Sequence, residues 1–345
     1  MNSESNSRYI RLLAFGILSV VFAEVFSGSA PLWFMDPWGI VVVLPLYWMH
    51  ALLLFNLALK YKRTSVSQLY FWGVLFALYE SWITKVLWAG YMGEEPFLGT
   101  FLGFAVVEFS IIGLFWHAVF AFILPILIFE LAVISDRRSS NPEVLKGHNR
   151  YLRETKKNVA VLLLLFVIGS LFLPMGLKMD LRTTLLASIT NSLIVFLVLK
   201  SATSISNSIS MSQLELGKRG LIANSIVLGI IYVVLSILFV PDRWASPFTI
   251  FLTIGFYGLV IGLLYISPKN ENRLDSLVVE ENYISKSRLT WFFAIFVGLS
   301  ALWCLFPPVG GLLATLIYLG LIPTGVVLFG VASYNVIKRR VGKEI

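Results

Sequence analysis

The sequence predicts an all-α, polytopic integral membrane protein, a helical bundle of about ten transmembrane helices. Two observations carry this expectation. Hydrophobic residues fill 58% of the 345 positions and charged residues only 13%, against roughly 45–50% and about 25% in soluble domains. The apolar residues are also gathered into runs near the ~20 residues that a bilayer-spanning helix needs. So few charges cannot coat a soluble globule of this length, which excludes an ordinary soluble enzyme. One cysteine, Cys304, excludes a disulfide scaffold and any multi-cysteine metal or haem motif.

The first run, 10–27, follows Arg8 and Arg11 and ends at Ser27-Gly28-Ser29-Ala30, the outline of a signal peptide. Glu24 within it and Pro31 after it argue against cleavage, so it is read as an uncleaved anchor. Runs at 39–59 and 68–90 follow. The fourth, 97–134, is anomalous: its 38 residues make about 56 Å of helix for a hydrocarbon core of roughly 30 Å. Six more runs complete the count, at 158–176, 183–200, 220–240, 247–267, 290–306 and 311–337.

Charge decides how the fourth run crosses. If it crosses once and the N-terminus is cytoplasmic, the inside segments hold 23 of the 27 Lys and Arg and the outside segments hold Lys178, Arg182 and Arg243. Two crossings would leave 8 inside and 18 outside. The positive-inside rule selects one net crossing, ten in all, with both termini cytoplasmic in a cell (plasma) membrane. The surplus 118–134 is then expected to bend within or along the membrane, with Gly113 and Pro125 as break points. The net charge of +8 thus reports loop orientation and is no argument for nucleic-acid binding.

Three regions are expected. Residues 1–134 form an N-terminal membrane half carrying a polar, Trp-rich site, 135–157 a basic cytoplasmic loop set against anionic lipid headgroups, and 158–345 an apolar C-terminal membrane half. The serine-rich 201–213 reads as flexible, and 268–289, with four basic and four acidic residues, as a solvated connector.

The division rests on polar placement. Glu24, Glu80, Lys85, Glu108 and Glu130, with His50 and His117, all lie in the first four runs, and the interiors of the last six hold no charge and no histidine. A charge near a helix centre costs about 2.5–3.5 kcal/mol on insertion scales, so such residues are functional candidates. On the third run Gly73, Ala77, Glu80, Ser81, Thr84 and Trp88 recur at helical spacing. Lys85 has three outlets, a pair with Glu80, a pair with Glu94 or Glu95, or snorkelling outward. Glu108, set near mid-membrane by a helix starting at Pro96, and His117 lie nine residues apart, on opposite sides of a continuous α-helix.

Glu80, Glu108 and His117 are therefore the acid–base or proton-relay candidates. His50, Thr84, Lys85, Trp88, Glu94 and Glu95 are the substrate-binding candidates, the last two also complementing a helix dipole at Pro96. Glu94, Glu95, Asp36, Trp33 and Trp38 suggest an acidic, aromatic outer vestibule. Gly99-x-x-x-Gly103 and Gly258-x-x-x-Gly262 fit close helix packing. No His-Glu-x-x-His or Glu-x-x-His occurs, so no metal or other cofactor is expected. Many crossings, small loops and intramembrane acids point to a transporter or permease coupled to protons or cations. The alternatives are a membrane-embedded enzyme acting on a lipid or lipid-linked substrate and a non-catalytic scaffold subunit. Expected partners are membrane lipids and a small-molecule, cation or lipid substrate.

Overall fold

The computed structural model describes residues 3–136, 138, 141–204, 208–277 and 282–344. The chain is overwhelmingly helical and integral to the membrane. Among the described residues, eight helices are long and apolar enough to cross a bilayer.

In chain order, α1 spans Ser3–Val20 and runs on through one widened turn, Val21–Val25. Helix α2 spans Gly39–Lys60. The third run is broken into α3 (Val66–Ala77), α4 (Tyr79–Trp82) and α5 (Val86–Ala89). A small hairpin, β1 (Thr100–Phe101) and β2 (Phe104–Ala105), precedes α6, Val106–Ile134. Strand β3 is Glu143–Leu145. Helices α7 (Lys156–Gly176), α8 (Leu181–Ser204), α9 (Lys218–Leu238) and α10 (Pro247–Ile266) follow. Strand β4 is Leu274–Ser276, and α11 (Lys286–Leu305) and α12 (Pro307–Glu344) close the chain.

Two expectations about the fourth run are corrected. Residues 97–105 are not helical: Leu102 and Gly103 have positive φ and turn a two-residue hairpin. Helix α6 then passes through Gly113 and Pro125 without a break. Its 15-residue section Phe109–Ile123 is a π-helix, closed by i→i+5 bonds, and the wider turns shorten the segment. Gly99 and Gly103 serve the loop, with φ of 71° and 82°, and not a helix contact. Among the described residues a Cβ on Gly258 or Gly262 would meet nothing within 4 Å, so the pair packs on no neighbouring helix of the chain.

The chain divides into two compact units that interleave along the sequence. Unit 1 is 1–52, 124–216 and 272–317, and unit 2 is 53–123, 217–271 and 318–345. This differs from a front half and a back half, because helices distant in sequence pack together. In unit 1, α1 packs on α8, and α11 packs on α7 and α8. Phe22, Phe26, Phe166, Phe293 and Phe296 pack ring against ring, Phe26 and Phe296 stacked at 4.4 Å. Gly169 is required beside them, since a Cβ there would lie 2.2 Å from the Phe26 ring. Its connectors join as well: β3 pairs antiparallel with β4, and Lys146 bonds Asp275 at 2.6 Å. Segment 268–289 is thus partly structured, and within 201–213 a turn forms at Met211–Leu214. Arg137, 205–207 and 278–281 lie outside the described residues.

In unit 2, α3 packs along the π-helical part of α6, and Gly73 permits it: a Cβ there would lie 2.6 Å from the Ala118 Cα. Helix α10 packs on α3. Burial separates the helices: 83% of the most apolar stretch of α6 is buried but 17% of that of α9, whose Ile226, Ile230 and Val233 are exposed. Such apolar exposure is what a lipid-facing helix presents.

Candidate functional site

The site grows from the break in the third helix. Helix α3 ends at Ala77, α4 makes one turn, and Lys85 takes a left-handed conformation (φ 58°, ψ 17°) before α5. That conformation costs a non-glycine residue roughly 1–2 kcal/mol. An interrupted helix also frees backbone carbonyls, which membrane-embedded protein must satisfy internally. Two cations from this region do so. The Lys85 ammonium donates to the Ser236 carbonyl (2.9 Å) and the Phe239 carbonyl, closing the end of α9, and lies 5.1 Å from the Trp244 ring centre. The Arg243 guanidinium donates to the carbonyls of Ala89 (2.8 Å), Gly90 and Tyr91 (3.2 Å) at the end of α5. Lys85 therefore pairs with none of Glu80, Glu94 or Glu95 and does not snorkel: it is fully buried as a positive cap on a helix C-terminus.

The break sets Glu80 against α6. Its Oε1 lies 3.3 Å from His117 Nε2, and its Oε2 accepts from the Thr84 hydroxyl. The Tyr79 hydroxyl reaches the same His117 nitrogen at 3.2 Å and also bonds Glu80. The other ring nitrogen, Nδ1, faces the Ile112 carbonyl at 3.4 Å. Both imidazole nitrogens thus face acceptors. An imidazolium satisfies both with N–H donors, while a neutral ring needs the Tyr79 O–H turned into Nε2. This buried cluster can hold or release a proton by a hydroxyl rotation and a change on the ring.

Hydroxyls extend the cluster. Trp82 Nε1 donates to the Tyr257 hydroxyl (3.2 Å), which bonds that of Tyr232, and Tyr232 lies within electrostatic reach of Glu80. The Tyr91 hydroxyl bonds that of Tyr318, and Glu108 acts electrostatically on both and on Arg243. Glu108 Oε2 is buried without a hydrogen-bond partner among the described residues. Glu108 sits in the first turn of α6 and not at mid-helix, because the helix starts at Val106. The π-helix also removes the objection from spacing. At about 4.4 residues per turn, nine residues make two turns and bring Glu108 and His117 to one side. Tyr91 is within electrostatic reach of both Glu80 and Glu108.

The remaining candidates separate from this cluster. Trp88 is buried, donates to Thr253 Oγ1 at 3.0 Å and packs edge-on against Trp82 and tilted against Trp244, a structural place. Glu94 and Glu95 are exposed in a turn, and no helix starts at Pro96 for them to complement. His50 belongs to unit 1, where its Nδ1 meets the Leu46 carbonyl at 2.8 Å. Trp33 is buried on Asn191, not open to an outer vestibule. Two of the front-half acids are engaged within unit 1 instead. Glu24 accepts from Tyr47, and Glu130 accepts from the Leu145 N–H (2.7 Å) and meets His148 Nδ1 (2.8 Å), both in unit 1.

Sequence reasoning missed Tyr79, Tyr91, Tyr232, Tyr257, Tyr318 and Arg243. For Tyr232, Tyr257 and Tyr318 the signal was present: a phenol in an otherwise uncharged span is a polar group to be satisfied as much as a carboxylate is.

An uncharacterized protein of Archaeoglobus fulgidus is 43% identical over 133 residues, 37% of this chain and 40% of that protein, so the match covers well under half of either. No solved structure matches the chain. The sequence profile of an uncharacterized membrane protein family matches residues 13–339, nearly the whole chain, and the protein belongs to that family.

Proposed function

We propose that this integral membrane protein is a transporter or permease whose coupling proton is exchanged at Glu80 and His117, with Tyr79 and Thr84 adjusting around them and Glu108 as the next acceptor. The observation that carries this reading is a carboxylate–imidazole–phenol cluster seated at an interrupted helix against a π-helix. Interrupted membrane helices and π-helical stretches both recur at functional sites. The substrate is a small solute or cation that reaches this cluster.

The proposed topology is ten crossings of the cell membrane with both termini in the cytoplasm. Contacts between connectors support it. In unit 2 the Asn270 N–H donates to the Lys62 carbonyl, and Arg243 binds the carbonyls of 89–91. In unit 1 the Ile209 N–H donates to Asp136, and β3 pairs with β4. Each contact joins segments that the charge distribution assigns to the same side. Two crossings by 97–134 would set Lys62 and Asn270 on opposite faces.

Proteoliposomes with a trapped pH-sensitive dye test the function. They are challenged in turn with Na⁺, Mg²⁺, and pools of amino acids, sugars and nucleosides. One class is expected to drive proton movement, with Glu80→Gln cutting it at least tenfold at unchanged helicity and Tyr79→Phe weakening it less. Proton flux unaltered in Glu80→Gln, or a wild type that moves no protons with any pool, removes the reading.

A further inference from the structure

In unit 1 a groove of about 280 Å³ opens among three helix ends: the last turn of α6, the last turns of α8 and the first turn of α11. Its floor is apolar, with Leu131, Phe196 and Leu289, and its rim carries Lys200, Thr203 and Lys286. The sequence puts both lysines where helices leave the cytoplasmic side of the membrane.

Three features make this rim positive. Both lysines are exposed. Arg138, Lys146, Arg273 and Arg288 are each matched to a carboxylate, and among the described residues Lys200 and Lys286 are not. The third feature is the N-terminus of the 20-residue α11, whose cap Ser285 also lines the groove. A helix N-terminus presents N–H donors and the positive end of its dipole. The neighbouring acid, Asp136, is already engaged by Arg138 and the Ile209 N–H.

We infer that this groove binds one anionic phospholipid, its phosphate between Lys200, Lys286 and the start of α11 and an acyl chain over Phe196, Leu131 and Leu289. Basic pockets between membrane helices on the cytoplasmic side recognise such headgroups. The apolar floor selects a lipid over free phosphate, and the two ammonium groups disfavour a choline headgroup. The inference is independent of the transport reading and rests on the proposed topology for the side on which the groove opens.

The test is native mass spectrometry of the delipidated full chain with phosphatidylglycerol, phosphatidylcholine or inorganic phosphate. One phosphatidylglycerol per chain is expected to be retained, with phosphatidylcholine at least tenfold weaker and no thermal protection by phosphate. The double variant Lys200→Gln, Lys286→Gln should bind phosphatidylglycerol about 30-fold more weakly, the factor two lysines near an anionic surface supply. Lys200→Arg with Lys286→Arg should retain it, separating charge from misfolding. Equal retention of the two lipids, unaltered binding in the glutamine variant, equal protection by phosphate, or a lipid-independent dimer that closes the groove overturns the inference.

Discussion

At the scale of single residues, Asp136 gives a pH test outside the membrane span. Burial alone raises its carboxyl, but hydrogen bonds from the Arg138 side chain and from the Ile209 and Arg138 N–H groups, with the guanidinium charge, outweigh this and bring it to about 2. An unfolded Asp titrates near ~3.9. The depressed group therefore stabilises the fold fully above about pH 4, and this contribution is lost as pH falls through about 2. Because Arg138 is partly exposed, solvent screening holds the contribution to about 1 kcal/mol. Asp136→Asn should lower the thermal midpoint at pH 6, and the gap from wild type should close as the pH is taken from 4 to 2. A gap of constant size would mean that the hydrogen bonds of a neutral group, and not the charge, hold this connector. Glu80 and His117 were legible as residues because ionisable groups in a bilayer are costly and therefore rare. Their phenolic partner Tyr79 was not, because tyrosine counts among the hydrophobic aromatics of the composition.

At the scale of elements, the long apolar helices were legible because apolar length is a sufficient signal: expected runs at 158–176 and 247–267 became helices at Lys156–Gly176 and Pro247–Ile266. The break at 83–85 was not, since Ile83-Thr84-Lys85 contains neither glycine nor proline. What accompanies it is tertiary: the Lys85 ammonium reaches two distant carbonyls, those of Ser236 and Phe239. The close packing of α3 on α6 was also hidden, because a small-residue spacing does not say whether a neighbour is present. Two glycines make this quantitative. Gly73→Ala places a methyl against the Ala118 backbone and should destabilise by about 1–3 kcal/mol, the range for overpacking. Gly258→Ala has no atom within 4 Å to meet and should change stability by at most about 1 kcal/mol, in the stabilising direction. Thermal unfolding in one detergent compares them, and equal effects would remove the distinction between a packed and a lipid-facing glycine.

At the scale of the whole molecule, the proposed topology turns on a parity argument. Bilayer crossings alternate the side of each connector, so any connector contact ties the parity of all the helices between its partners. The Asn270–Lys62 contact spans the third to eighth runs and requires an even number of crossings between them. The contact between Arg243 and the 89–91 carbonyls requires an even number from the fourth to the seventh. With one crossing for each other run, both conditions give an odd count for 97–134, the result the basic residues select. The single cysteine makes this accessible to experiment. In a Cys304→Ser background, new cysteines at Glu94, Lys178, Arg150 and Glu271 report four exposed or loop positions. A membrane-impermeant maleimide added to intact cells should label those at Glu94 and Lys178, and those at Arg150 and Glu271 only after permeabilisation. Labelling of Glu94 and Glu271 cysteines from the same side would break the parity and return 97–134 to a two-crossing hairpin. That outcome would also remove the assignment of the Lys200–Lys286 groove to the cytoplasmic leaflet.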